Sequence, residues 1–221
     1  MKPFKLVIHS IIILMILNKG VSAADLLSKF SVKFIPTGTF ALAGNYSDTE
    51  KLRDIVQFGF GFGLTLRYEI NENFFIEADY SHSWMFIKED KKPFAYKENT
   101  PAFIMPMYML NGTFFLKSGY KIEPYLTIGG GICPWSFTSK ALGGKSWPAP
   151  ANSDENFSKS SFGLNIGLGV EWFVLSRASV IGEVKYYYIF ARDENKFGTD
   201  DFTEQDFISI RLGITYYFGK I

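Results

Sequence analysis

The sequence predicts an all-β fold, an eight-stranded antiparallel up-and-down transmembrane β-barrel, on three observations. Apolar and polar residues alternate over long stretches, glycines gather on the polar side of that alternation, and short connections take turns with long ones. After the N-terminus, no apolar run in the 221 residues is long enough for a membrane-spanning helix. Any crossing of a bilayer must therefore use strands, which satisfy their backbone groups by pairing.

The clearest alternation runs from Phe58 to Glu69, where Phe58, Phe60, Phe62, Leu64, Leu66 and Tyr68 are set against Gly59, Gly61, Gly63, Thr65, Arg67 and Glu69. A helix cannot sort residues with period two. The pattern recurs from Phe162 to Trp172 and again from Ile208 to Phe218. Weaker versions at Ser28–Phe40, Phe74–Phe86, Phe103–Leu116, Lys121–Ile132 and Ser179–Phe190 complete the eight. Each is about as long as the roughly 9–11 residues that a tilted strand needs to cross the hydrocarbon, or slightly longer.

Asn71-Glu72-Asn73, Lys117–Tyr120 and Val174–Ala178 have the composition of hairpin turns. Between them lie polar, charged links at Ala41–Asp54, Ile87–Pro101, Pro134–Ser160 and Ala191–Asp206. In outer-membrane barrels the short turns face the periplasm and the long loops face outward.

Residues 1–23 read as a cleaved export signal and 24–221 as the barrel domain. Lys2 and Lys5 precede an apolar run, Leu6–Leu17, broken only by His9 and Ser10, and Val21-Ser22-Ala23 supplies the small residues of a cleavage site. The run is shorter than the roughly 20 residues of a helical anchor. Removing the signal leaves 20 basic and 22 acidic side chains, a formal charge of −2 that gives no support for a nucleic-acid partner. Cys133 is the single cysteine, so no intrachain disulfide can form even in an oxidising compartment.

Alternation alone leaves the inside undetermined, since a soluble barrel turns its apolar face inward. Here Gly59, Gly61, Gly63, Gly129, Gly131, Gly163, Gly167 and Gly169 share the polar parity, as a narrow lumen requires. Aromatics on the apolar parity gather at both strand ends. Phe30, Tyr68, Phe74, Phe114, Tyr120, Trp172 and Phe218 lie toward the turns, and Trp84, Phe86, Phe103, Tyr188 and Phe190 toward the loops, as two interfacial girdles.

The stretch Met105-Pro106-Met107-Tyr108-Met109-Leu110-Asn111-Gly112-Thr113-Phe114-Phe115, followed by Glu123–Gly131, resembles the middle hairpin of the OmpA/OmpX/OmpW-type small outer-membrane proteins. The last strand is similar to their assembly signal, ending on Tyr216 and Phe218, although Gly219-Lys220-Ile221 extend past the aromatic. The resemblance implies a Gram-negative outer membrane. It also implies outer-membrane lipids and lipopolysaccharide, the assembly machinery and periplasmic chaperones as partners, and an extracellular ligand at the loops.

On the lumen parity the sequence places Lys33, Arg67, Glu77, Asp79, Glu123, Glu171, Glu183, Lys185 and Arg211, with Lys29 and Glu69 near the turns. Such charges form either a gated polar path or a salt-bridge network that fills the barrel, since an unpaired buried charge is costly. Met85, Met105, Met107 and Met109 share that parity near the loops, as a soft mouth for small hydrophobic solutes or as core filling. His82 is the one histidine outside the signal and sits on the apolar parity, while its neighbours Ser81 and Ser83 point to the other face. That geometry supplies no nucleophile and base, and no cofactor or transition-metal site is expected. Gly143-Gly144-Lys145-Ser146 lacks the first glycine and the strand-to-helix setting of a phosphate loop. The sequence reading is thus a non-enzymatic outer-membrane scaffold with long extracellular loops, serving envelope integrity or surface interaction. A conduit or binding site for small hydrophobic solutes is the alternative, followed by a lipid-modifying enzyme at His82.

Overall fold

The computed structural model describes residues 23–92, 99–116, 119–142, 144–149, 154–198 and 202–219. The stretch read from the sequence as an export signal lies outside them up to residue 22, as do Lys117, Ser118, Gly143, Lys220 and Ile221. A short helix α1 (Ala23–Ser28) leads into β1 (Phe30–Ala43), and a one-turn helix α2 (Leu52–Ile55) precedes β2 (Gly59–Asn71). Strands β3 (Phe74–Phe86), β4 (Ala102–Phe115), β5 (Ile122–Thr138), β6 (Ser158–Leu175) and β7 (Ala178–Ile189) follow, then helix α3 (Glu194–Phe197) and β8 (Gln205–Tyr217). Each strand pairs antiparallel with the next, and β8 closes on β1, giving a closed eight-stranded barrel. Closure removes every free edge, which is what lets strands sit in hydrocarbon.

The apolar parity faces outward. Leu64, Leu66, Ile128, Ile166, Leu168, Leu212 and Ile214 are 39% to 65% exposed, while the residues between them are largely covered. On the same surface, Phe30 meets Tyr68 with ring centroids 5.0 Å apart near the turns, and Tyr188 meets Phe190 at 4.9 Å near the loops.

Four sequence expectations are corrected. Ser28 and Lys29 belong to the end of α1 and its turn, so β1 starts at Phe30, and Lys29 is exposed rather than in the lumen. β1 also continues past Phe40 to Ala43. Strands β5 and β6 rise further than expected, pairing as far as Ser136 with Ser158, which shortens the longest loop at both ends. Pro134 read as a strand end, yet the inward series Cys133, Trp135 and Phe137 runs straight past it. Finally, Phe103 is not a girdle residue: it is 1% exposed and packs inside against Phe137 and Phe207 at 4.9 and 6.0 Å. Alanine at position 102 breaks the local pattern, and Met105, Met107 and Met109 set the inward parity that Phe103 shares.

Lumen glycines make room for large inward side chains. A Cβ at Gly169 would lie 2.2 Å from the Tyr125 ring, and one at Gly63 would lie 2.8 Å from Arg211 Nη2. Gly182, on the outer face, would only touch Leu212 at an ordinary 3.5 Å. Gly169→Ala is therefore expected to lower folding stability by about 1–3 kcal/mol through overpacking, with Gly182→Ala close to neutral. Urea titration of tryptophan fluorescence in lipid vesicles measures the difference.

Candidate functional site in the barrel lumen

From turn side to loop side, the lumen is stacked in layers. Its floor is aromatic: Phe75, Phe115 and Tyr125 point inward, Phe115 lying 5.2 Å from Phe75 and 5.3 Å from Tyr125. Each belongs to a strand beginning or ending at a short turn, so the three rings lie together at the turn end of the lumen.

Above the floor sit eight buried charges, four of each sign. Arg67 reaches Glu77 at 2.9 Å and Glu171 at 2.8 Å, and Lys33 joins Glu77 at 2.5 Å. Arg211 holds Asp79 through both terminal nitrogens at 2.9 Å and Glu183 at 3.1 Å, with Lys185 at 3.3 and 3.7 Å from the same two carboxylates. Thr65, Ser179 and Tyr217 donate further hydrogen bonds to Asp79 and Glu171. All eight are at most 4% exposed. A bidentate guanidinium fits such an interior because it satisfies two carboxylate oxygens in one plane.

The network rests on the floor. The Arg67 guanidinium carbon lies 5.1 and 5.3 Å from the Phe75 and Phe115 ring centroids, and Lys33 Nζ lies 5.4 Å from that of Tyr125. Such contacts strengthen when water is excluded. Glu123 and Glu69, which the sequence grouped with these charges, stand apart. Glu123 accepts a hydrogen bond from the Tyr120 backbone N–H at 3.1 Å at the turn, and Glu69 is only half-buried.

A neutral polar layer follows. Thr39 bridges Ser83 at 3.1 Å and Ser209 at 3.0 Å, and Asn165 donates to Asn111 at 2.8 Å. Above it, Met85, Met105, Met107 and Met109 are at most 4% exposed. They do not line an open mouth. Leu52, Ile55 and Val56 from the first loop, Trp147 and Phe157 from the third, and Phe197 and Phe202 from the fourth fold over them with Trp135 and Phe137. Phe202 sits centrally, 4.4 Å from Trp135 and 5.1 Å from Phe157. Its φ of 47° is a left-handed conformation uncommon for an aromatic, and the packing around it must hold it there.

Backbone pairing stiffens this cap. Trp147 donates to the Phe137 carbonyl at 2.9 Å and Phe157 to that of Trp147 at 2.6 Å, while Leu52 donates to Gly44 at 3.0 Å. The cap departs from the polar loops that the sequence predicts. Its signal was the set of isolated aromatics, Trp147, Phe157, Phe197 and Phe202, in otherwise charged stretches.

His82 lies on the outer wall. Its Nδ1 is 3.2 Å from the Tyr80 hydroxyl, and its ring is 4.1 Å from Trp84, whereas Ser81 and Ser83 face the lumen. Among the described residues, no group of three histidine, cysteine or acidic side chains could hold a metal ion.

Arg211→Met would leave Asp79 and Glu183 facing Lys185 alone. Removing one partner of a buried charge cluster is expected to cost about 3–5 kcal/mol. Arg211→Met combined with Asp79→Leu leaves Glu183 with Lys185 and is expected to recover part of that loss. Urea midpoints of the two variants in vesicles test the coupling.

Residues 12–218 match the outer membrane protein beta-barrel domain. The comparison with curated proteins returned no match. Among solved structures the chain is similar to neisserial surface protein A, at 16% identity and a TM-score of 0.59, covering 86% of this chain and 97% of that one. It is also similar to the attachment invasion locus protein Ail of Yersinia pestis in complex with the heparin analogue sucrose octasulfate, at 14% identity and a TM-score of 0.50, over 85% and 96% of the two chains. By the match along nearly its whole length, this chain belongs to the outer membrane protein beta-barrel domain family.

Proposed function

We propose that the protein is a non-enzymatic anchor whose barrel holds a folded loop platform at the cell surface, with no through-path for solutes. The observation that supports this most is the double closure of the lumen. An aromatic floor and an aromatic cap, among the described residues, enclose eight buried charges, each with a neighbour of opposite sign. A conduit would need an open mouth, and among the described residues the apolar cap covers the loop end of the lumen.

The cap's outer surface carries the charge that a surface contact would meet. Lys91 pairs with Glu50 across the first and second loops, Lys159 with Asp193 at 3.5 Å, and Lys196 with Glu155 at 3.4 Å. These pairs are partly exposed and screened by salt, so they fix loop shape more than they stabilise the fold.

In planar bilayers the folded protein is expected to produce no conductance steps. Steps that persist in independently purified preparations would overturn the anchor reading in favour of a conduit. For the enzymatic alternative, lipid A masses from cells carrying His82→Ala are expected to equal those from the parent. A mass that reverts to an unmodified form in the variant would establish enzymatic modification instead.

A further inference from the structure

The sequence holds three Asn-x-Ser/Thr triplets, at Asn45, Asn111 and Asn156, the acceptor pattern for an N-linked glycan in an exported chain. The pattern carries a mechanism. An asparagine amide is a poor nucleophile and must be held to react, and a hydroxyl two residues on lies on the same side of an extended chain, where a transferase can bond it. The product also has to fit the fold, since a glycan is bulky and needs a surface.

The structure separates the three. Asn111 is 2% exposed in the lumen and accepts a hydrogen bond from Asn165, so a glycan there would fill the barrel. Asn45 is half-buried between the first and fourth loops, donating its N–H to the Thr203 hydroxyl and accepting from Gln205 Nε2 at its carbonyl. Asn156 is exposed on the third loop, just before β6. Among the described residues, the hydrogen bonds at Asn156 and Ser158 are backbone ones, including that from the Ser158 N–H to the Asn156 carbonyl at 2.8 Å.

The segment is held with its acceptor side outward. Phe157 turns into the cap and is 1% exposed, and Glu155 pairs with Lys196 of α3 at 3.4 Å. Ser158 lines a cleft of about 670 Å³ with Ser136, Ser146 and Ser160, which leaves room beside the acceptor. Two residues before Asn156 stands the exposed acid Asp154, whereas Ala43 and Met109 hold that place before the other two asparagines.

We propose that Asn156 is an N-glycosylation site, with Ser158 as the hydroxyl and Asp154 as the charge that a periplasmic oligosaccharyltransferase reads. The donor is a polyprenyl-diphosphate oligosaccharide. The Asn156 amide nitrogen attacks its anomeric carbon, a C–N bond forms, and the C–O bond to the diphosphate breaks. Polyprenyl diphosphate leaves, and the amide gives up one proton to a carboxylate of the enzyme. Transfer precedes folding, while the third loop is still in the periplasm, and the finished barrel carries the glycan at the edge of the cap. The inference rests on the reading of the loops as a surface platform and goes beyond it by assigning that platform a covalent modification.

The test takes the full-length protein from the membrane fraction of the cells that make it, digested with trypsin. Peptide 146–159, released by cleavage after Lys145 and Lys159, is expected to carry an oligosaccharide mass on Asn156, with the peptides holding Asn45 and Asn111 unmodified. Asn156→Gln and Ser158→Ala are each expected to remove that mass, Ser158→Thr to keep it, and Asp154→Ala to lower occupancy at least tenfold. An unmodified peptide 146–159 in the parent, a glycan that survives Ser158→Ala, or occupancy unchanged in Asp154→Ala would overturn the proposal. Heat-modifiable gel mobility of the same preparations reads the fold apart from the glycan, so a failed barrel reading and a failed acceptor give different results.

Discussion

Hydrocarbon offers a peptide group no partner, and the rest of this structure follows from that. Every strand must be paired on both sides, so the sheet closes, and eight strands close into a lumen only wide enough for side chains. Apolar side chains then have to face out and polar ones in, the reverse of a soluble barrel. The glycines at positions 63 and 169 are the local answer to the resulting crowding, since they leave the space taken by Arg211 and Tyr125.

Inside, four cations and four anions could not remain unpaired without a large desolvation penalty. The two arginines organise the solution. Arg67 ties β2 to β3 and β6, and Arg211 ties β8 to β3 and β7. Cross-barrel bonds of this kind link strands that the backbone ladder does not join, and fix the cross-section around a defined centre. Burial of the network between the floor and the cap strengthens its electrostatics.

Much of this was legible in the sequence because strand period and lumen parity are local properties. The alternation from Phe58 to Glu69 and from Ile208 to Phe218 suffices to place Arg67 and Arg211 inward. Which carboxylate each arginine meets was not legible, because it depends on strand stagger: Arg67 and Glu171 are separated by 104 residues. The end closures were hidden for different reasons. Phe75, Phe115 and Tyr125 each sit beside an outward aromatic or apolar neighbour, so alternation fades where both faces are apolar. The cap is built from loops, where side-chain direction has no period to read. Phe103 went astray for the same reason, with apolar residues on both parities of β4 near the loops.

Cys133 offers the most direct measurement of a sealed lumen. It is fully buried, points inward on β5, and its sulfur lies 2.7 Å from where a Cβ on Gly163 would be. Folded protein in vesicles should be treated with a small charged thiosulfonate from both sides, then unfolded by heating in detergent and treated again. Negligible labelling before heating and complete labelling afterwards is the expected result. Rapid labelling of the folded barrel would show a water path to its centre and contradict the closed-lumen account.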